Sequence, residues 1–138
     1  MIVRSVNDLA GTERETIAKT WRSRRFLLAS DGMGFSFHET IMAAGTETPM
    51  WYKNHLEAVY CVGGRGTIED LATGEIHEIT DGTMYALNEN DRHVIRVDED
   101  LRLICVFNPA CVGGETHDAD GAYPSPEEME KRRKAVAT

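Results

Sequence analysis

Short runs of β-prone residues, separated by turn signals, fill the middle of the chain. They span residues 26–29, 34–42, 57–62, 66–70, 75–79, 83–87, 94–97 and 101–107. Pairs such as Asp31-Gly32 and Asp81-Gly82, which favour tight turns, stand between several of these runs. Because no helical periodicity alternates with the strands, the pattern predicts an all-β fold, either an antiparallel sandwich or a small barrel.

The two ends of the chain carry weaker helical patterns. Apolar positions near the start suggest a helix over residues 7–19, although Gly11 interrupts it. Near the other end, residues 125–128 read Ser-Pro-Glu-Glu, the order of an N-cap, a proline at the first helical position and a glutamate three residues after the cap. This order predicts a short peripheral helix that extends toward Val136.

Length and charge narrow the possible functions. The chain has 138 residues, which fits a single domain over 1–138 whose last part, about 125–138, is a helical tail. Its net charge is −8, from 15 Lys and Arg against 23 Asp and Glu. Such a field repels phosphate backbones and anionic headgroups, so we expect no nucleic acid and no membrane among the partners.

The apolar runs and the cysteines both point to the cytoplasm. No run approaches the roughly 18 apolar residues that a membrane span needs, and the start of the chain has no signal-length apolar stretch. Cys61, Cys105 and Cys111 are odd in number and form no C-x-x-C pair, so reduced thiols are expected.

Glu57 begins a pattern that resembles the first motif of the cupin superfamily. The glutamate opens an apolar strand, and Gly64 follows after six intervening residues. In cupins a glutamate at this place is a metal ligand on a barrel strand. Two histidines usually precede it, but residues 50–53 read Met-Trp-Tyr-Lys in this chain. The usual site of three histidines and one glutamate therefore cannot form.

A second stretch, residues 82–93, resembles the second cupin motif. Asn88 and Asn90 stand where proline and glycine are usual, and asparagine tolerates left-handed backbone, so the turn is preserved. His93 is then a second candidate ligand. Tyr85, on the strand between, could aim its phenol into the same cavity. A divalent metal with open coordination positions generally takes such a third ligand from the protein.

Longer runs make the resemblance more specific. They read GMGFSFHET at 32–40, YKNHLEAVYC at 52–61, GTMYAL at 82–87, DRH at 91–93, CVFNP at 105–109 and HDADGAYP at 117–124. Together they extend the similarity over nearly the whole chain. The sequence resembles the L-ectoine synthase family of the cupin superfamily.

This resemblance implies a cupin-type small β-barrel or jelly roll and a hydro-lyase activity. Enzymes of the family close N-γ-acetyl-L-2,4-diaminobutyrate into the cyclic amidine L-ectoine, with loss of water. Ectoine is a compatible solute that accumulates under osmotic stress. The resemblance further implies a cytoplasmic homodimer that binds a small-molecule substrate.

The resemblance also implies a cofactor and a set of site residues. The family's iron ligands fall on Glu57, Tyr85 and His93, so Fe²⁺ is the expected cofactor, with other divalent transition metals as alternatives. Its substrate-binding residues fall on Trp21, Arg25, His38, Thr40, Tyr52, His55, Cys105, Phe107, Glu115 and His117. Tyr52, Glu115 and His117 are the candidates for catalytic proton transfer, and the choice of acid and base among them stays open.

The reaction requires a folded substrate, a polarised carbonyl and proton transfer. Arg25 suits the substrate carboxylate, although Arg24 fits the same part, and Trp21 offers an aromatic face for a cation. A bound metal suits polarisation of the carbonyl or, alternatively, holding of the amine. Because side chains alternate along a strand, residues 38 and 40 share one face of their strand, as do residues 105 and 107. The alternation does not say which face lies inside.

Two other functions are compatible with the pattern. An iron-dependent cupin dioxygenase acting on another small amino-acid-like substrate would use the same three ligands, although the missing histidines of the first motif count against it. A ligand-sensing cupin domain usually accompanies a DNA-binding domain, for which we expect no room within 138 residues.

Overall fold

The computed structural model describes residues 1–137, so Thr138, at the end of the predicted domain and tail, lies outside the described residues. The strands are β1 Glu15–Ile17, β2 Trp21–Leu27, β3 Ser36–Met42, β4 Glu47–Trp51, β5 Leu56–Asp70, β6 Ile76–Thr80, β7 Met84–Leu87 and β8 Arg92–Asn108. The helices are α1 Val6–Leu9 and α2 Pro126–Ala137, with a 3-10 turn at Ala29–Asp31.

Two long strands, β5 and β8, form the centre of one antiparallel sheet. They pair with each other along most of their lengths. The second half of β8 also pairs with β3, while its first half pairs with β4. In the same way, the first part of β5 pairs with β7 and its last part with β6. Each long strand therefore belongs to both layers of a sandwich, and in the described residues the sheet folds over without closing into a barrel.

The fold-over occurs where the pairing of β5 with β8 is irregular. The register shifts between Cys61 and Gly66. Within this stretch Gly64 has φ +88°, and a Cβ there would collide with the carbonyl oxygen of Asp100 on β8. A Cβ at Gly66 would collide in the same way with the carbonyl oxygen of Arg96. The bend depends on glycine because only glycine permits both the backbone conformation and the close approach.

The all-β prediction is confirmed, but two pairs of predicted runs each belong to one longer strand. The runs 57–62 and 66–70 are parts of β5, and the runs 94–97 and 101–107 are parts of β8. Their glycines and acidic residues resemble turn signals. They lie in a bulged but continuous ladder instead, because each strand follows the other around the bend.

The predicted helix over residues 7–19 is wrong beyond its first turn. Helix α1 ends at Leu9, Gly11 adopts φ +74°, and β1 begins at Glu15. Strand β1 pairs with β2. Sheet pairing thus overrides a weak local helical preference, because each paired residue gains ladder hydrogen bonds that an isolated short helix cannot replace.

Helix α2 begins where the capping pattern predicts. The backbone N–H of Glu128 donates to Ser125 Oγ at 3.2 Å, and Pro126 is the first helical residue. Ion pairs such as Arg132 with Glu128 at 3.3 Å cover its outer face. Within residues 1–137, no helix has both the length and the apolar character that crossing a membrane requires.

The bend can be tested by adding one methyl group. We expect Gly64→Ala to lower the free energy of unfolding by at least about 3 kcal/mol, because left-handed strain adds to a backbone collision. Gly74→Ala is the matched control, since Gly74 has φ +77° and open space around its Cβ position. It should cost only about 1–2 kcal/mol. Equal losses in urea unfolding experiments would show that the close approach to Asp100 is unimportant.

Candidate active site

A small cavity lies between the two layers of the sheet. Its volume is about 30 Å³, which is room for roughly one water molecule. Its walls consist of Trp21, Thr40, Met42, Met50, Tyr52, Glu57, Tyr85, Leu103, Cys105, Phe107, His117 and Tyr123. Six of the predicted substrate-binding residues and two of the predicted metal ligands therefore lie around one cavity.

Strand alternation brings these side chains together. On β2, Trp21 and Arg25 are buried, whereas Arg24 is on the opposite face and donates to Glu15 on β1 at 2.7 Å. Arg25 is thus the arginine that faces the interior. On β8, Cys105 and Phe107 are both buried, so the shared face predicted for them is the inner one.

The remaining predicted substrate-binding residues lie behind this cavity. Arg25, His38, His55 and Glu115 are each at most 1% exposed. His38 and His55 pack against Phe107 of the cavity wall, whose ring centroid is 4.9 Å from that of His38 and 5.8 Å from that of His55. Arg25 packs against Tyr123 of the same wall, with its guanidinium carbon 5.4 Å from the ring centroid.

The two histidines of this buried layer differ in how they are satisfied. His38 contacts two hydroxyls, with Nε2 at 3.0 Å from Ser36 Oγ and Nδ1 at 3.4 Å from Ser23 Oγ. His55 has no hydrogen-bond partner on either ring nitrogen in the described part of the chain. Burial lowers the pKa of both imidazoles, so both are neutral near pH 7. A buried imidazole with two free nitrogens is rare, so His55 is a candidate for contact with a polar ligand.

Two of the three candidate metal ligands line the small cavity, and the third is buried near the ring of Tyr52. Glu57 on β5 and Tyr85 on β7 share the cavity wall. His93, at the start of β8, is 1% exposed and its ring lies 6.2 Å from that of Tyr52. Its Nδ1 contacts the carbonyl oxygen of Asp91 at 2.9 Å, so Nδ1 carries the proton. Nε2 is left with a lone pair and with no partner among residues 1–137.

The electrostatic surroundings of Glu57, Tyr85 and His93 favour a bound cation. Burial raises the pKa of the Glu57 carboxyl to about 8. Burial and the neighbouring Glu57 charge together hold the pKa of the Tyr85 phenol well above its usual value. Within residues 1–137 no three His, Cys, Asp or Glu side chains are grouped to hold a metal ion, so a three-donor set here would have to include the Tyr85 oxygen. Two oxygen donors and one imidazole nitrogen with a free lone pair fit a divalent transition metal.

Tyr52 and His117 form a hydrogen-bonded pair in the cavity wall. The Tyr52 hydroxyl lies 2.8 Å from His117 Nε2, and the tautomer of the imidazole decides which of them donates. Burial lowers the pKa of His117 to about 4, so its ring is neutral near pH 7. Burial also raises the pKa of Tyr52 well above its usual value, which keeps its phenol protonated. Such a pair can accept one proton and donate another.

A second, larger cavity lies outside the first. It has a volume of about 690 Å³, and Tyr85 and His93 form part of its wall. Tyr85 therefore stands between the two cavities. His77 also lines the outer cavity, but its side chain is 62% exposed and contacts only the equally exposed Glu75 at 3.4 Å.

Sequence reasoning missed Tyr123, which is 3% exposed and stacks against Trp21, Tyr52, His55, Phe107 and His117. It lies in a segment without regular secondary structure, where no periodicity marks a buried face. The signal that was available is the aromatic residue within the 117–124 run.

Asn90 has a role beyond the predicted turn. Its φ of +53° confirms that it adopts left-handed backbone. Its side-chain amide also donates to the carbonyl oxygens of Tyr52 at 2.9 Å and His55 at 3.1 Å. The turn residue thereby fixes the chain segment that carries two of the site residues.

Comparison with known proteins identifies the family of this chain. A family model described as ectoine synthase matches residues 1–127. The L-ectoine synthase of Desulfosudis oleivorans is 64% identical over 129 residues, which cover 93% of this chain and 100% of that protein. The crystal structure of ectoine synthase from P. lautus superposes with a TM-score of 0.82 at 50% identity, covering 88% of this chain and 87% of the other.

More distant structures share the fold alone. A cupin domain of an XRE family transcriptional regulator from Enterobacter cloacae has a TM-score of 0.55 at 12% identity, over 65% of this chain and 97% of that domain. The fold is therefore of the cupin type, which also occurs in regulators. The match over residues 1–127 and the identity of 64% are far more specific, and with them this chain belongs to the ectoine synthase family.

Proposed function

We propose that the chain is an L-ectoine synthase, a hydro-lyase that closes N-γ-acetyl-L-2,4-diaminobutyrate into L-ectoine with loss of water. The observation that carries the proposal is the position of the Tyr52–His117 pair, 2.8 Å apart, in the same cavity wall as Glu57 and Tyr85. Proton-transfer groups thus adjoin a candidate metal site within a closed interior. The curated relatives over this length bear the name L-ectoine synthase.

The reaction places specific demands on proton transfer. The substrate's α-amine, once deprotonated, attacks the carbon of its own acetamide, forming one C–N bond and a tetrahedral oxyanion. The C–O bond then breaks and a C=N bond forms. Over the reaction the amine nitrogen loses two protons and the departing oxygen gains two. A site must therefore both remove protons from nitrogen and deliver them to oxygen.

Tyr52 and His117 suit this exchange. Burial lowers the pKa of His117 to about 4, so its imidazole is neutral near pH 7 and has a lone pair toward which a proton of the amine can move. The protonated phenol of Tyr52 can donate toward the oxygen. Since the two groups share a hydrogen bond, a proton taken by one can be replaced through the other.

Glu57, Tyr85 and His93 would hold the metal, for which we propose Fe²⁺. When bound, the metal supplies Lewis acidity beside the acetamide carbonyl. The apolar residues of the same wall, such as Leu103 and Phe107, keep bulk water away from a dehydration. Because the cavity of about 30 Å³ is smaller than the substrate, its walls have to separate when the substrate enters.

Three further properties are proposals that rest on family membership. These are Fe²⁺ as the resident metal, a homodimeric assembly and a cytoplasmic location, where ectoine would serve as a compatible solute under osmotic stress. An apolar outer groove lined by Ile2, Phe26, Phe35, Phe37 and Val106 supports the homodimer. Sedimentation of the purified protein as a monomer would contradict it.

Activity can be tested directly. Purified protein with Fe²⁺ and N-γ-acetyl-L-2,4-diaminobutyrate should produce ectoine, measured by NMR, and should do so equally well without oxygen. Ring closure consumes no oxidant, whereas a dioxygenase with the same ligands stops under anaerobic conditions. Turnover that requires oxygen would reject the proposed reaction in favour of oxygenase chemistry.

The metal assignment predicts which side chains are needed for iron binding. Glu57→Ala, Tyr85→Ala and His93→Ala should each lose most bound iron, measured as iron per protein after desalting, because each removes one donor. His77→Ala is the control, since this imidazole is exposed and should leave iron content unchanged. Full occupancy in any of the first three variants would remove that residue from the ligand set.

The Glu57 carboxyl also predicts how the stability of metal-free protein depends on pH. Its pKa is about 8 in the folded state against 4.5 for the ordinary group. The raised value means that folding favours the protonated form. Stability from this group is therefore greatest below about pH 4.5 and decreases up to about pH 8, by a few kcal/mol in order of magnitude.

Comparison with Glu57→Gln isolates this effect. In chelator-treated protein, the wild type should lose free energy of unfolding relative to E57Q as the pH rises from about 5 to about 8. Glu13→Gln, at an exposed carboxylate, should show no such divergence. Urea unfolding curves whose difference stays constant over this range would contradict a pKa of Glu57 that is raised by burial.

A further inference from the structure

Glu115 has its carboxylate engaged within the chain. Oε2 accepts the backbone N–H of Val112 at 2.6 Å, and Oε1 accepts that of Gly113 at 2.7 Å. Oε1 also lies 3.5 Å from Nη1 of Arg25. The side chain is fully buried. Two backbone N–H groups and the Arg25 guanidinium therefore already surround this carboxylate.

Three hydrogen-bond contacts hold the Arg25 guanidinium. Nη2 donates to the carbonyl oxygen of Glu115 at 2.8 Å and contacts the Tyr123 hydroxyl at 3.4 Å, while Nε contacts Ser23 Oγ at 3.4 Å. Nη1 is different, because it is buried and has no hydrogen-bond partner in the part of the chain that the structure describes. The 3.5 Å to Glu115 gives charge neutralisation without using the Nη1 hydrogens.

A buried guanidinium needs both neutralisation and orientation. An arginine without an opposite charge is strongly unfavourable in the interior, and its long side chain has several rotamers to choose from. Glu115 supplies the charge through its carboxylate and the orientation through its backbone carbonyl. Nη1 is then the guanidinium nitrogen without a hydrogen-bond partner among the described residues. Its N–H groups point in a fixed direction, which suits hydrogen bonding to an incoming carboxylate.

We propose that Glu115 is a positioning residue that acts through Arg25: it fixes the guanidinium so that Nη1 receives the substrate carboxylate, and it takes no part in proton transfer. This inference rests on the proposed function, since it deepens the substrate-binding role of Arg25. It assigns selectivity for an α-carboxylate to the Arg25–Glu115 pair. Proton transfer is then left to Tyr52 and His117.

The test compares two substrates on one enzyme. N-acetyl-1,3-diaminopropane is the proposed substrate without its α-carboxylate, and it can undergo the same ring closure. In competition, the ratio of kcat/KM for the two compounds does not depend on how much of the protein is folded. Glu115→Gln should lower this ratio by roughly tenfold to a hundredfold, because Nη1 loses its fixed direction.

Further variants show whether the change in the ratio of kcat/KM comes from the Arg25–Glu115 pair. Arg25→Lys should lower the ratio to a similar extent, and the double variant R25K/E115Q should lower it little further, because both changes act on one contact. Arg24→Gln, on the opposite face of β2, should leave the ratio as in the wild type. If E115Q yields too little protein, Glu115→Asp serves instead, since the shorter side chain cannot reach both Val112 and Gly113.

Each result either supports or overturns the positioning role of Glu115. A role for Glu115 as acid or base, or a purely structural role, would lower kcat/KM for both compounds together and leave the ratio unchanged. Either result overturns the positioning role. Failure of the proposed function looks different, because the wild-type protein would then cyclise neither compound.

Discussion

The antiparallel pairing of β5 with β8 determines where every other part of the molecule lies. Both strands cross from one layer of the sandwich to the other, and they bend together at Gly64 and Asp100. One half of the pair carries Glu57, Cys105 and Phe107 into the interior. The other half carries His93. A site made from both halves exists only because the ladder stays continuous through the bend.

Each polar group buried inside this sandwich needs a hydrogen-bond partner or an opposite charge. His38 is satisfied by two serine hydroxyls, and Arg25 is neutralised by Glu115. His55 and the Nε2 atom of His93 have no such partner among the described residues. Leaving a buried polar nitrogen unpaired is unfavourable, so these nitrogens, together with Arg25 Nη1, are candidates for contact with a ligand.

The electrostatics of the interior contrast with those of the whole chain. The protein as a whole carries a net charge of −8, which disfavours polyanionic partners. Inside, the Arg25 guanidinium is paired with Glu115 and keeps one nitrogen, Nη1, without a hydrogen-bond partner among the described residues, where a small carboxylate would be held. The candidate metal trio provides donors in a buried environment, and burial is the reason that the pKa of Glu57 is raised. A zwitterionic amino-acid derivative and a divalent cation complement these two regions.

Features set by neighbours along the chain were predictable from sequence. The N-cap of α2 at Ser125, the left-handed Asn90 and the shared face of Cys105 and Phe107 follow from local backbone geometry and strand alternation, whereas the inward direction of that face does not. The resemblance of whole runs to a known family identified the enzyme class, because long motifs preserve a site together with its fold. The helix predicted over 7–19 is wrong, because sheet pairing with β2 outweighs a weak local preference.

Only the tertiary structure decided which distant side chains meet. Arg25 contacts the Glu115 carbonyl across 90 residues of sequence, and Tyr52 contacts His117 across 65. Nothing in the local pattern distinguishes Arg25 from Arg24 or marks Tyr123 as buried. Local sequence fixes backbone conformation, but burial and charge pairing depend on the surfaces that the folded sheet brings together. The roles of Arg25, Glu115 and Tyr123 were therefore decided by packing between segments far apart in the chain.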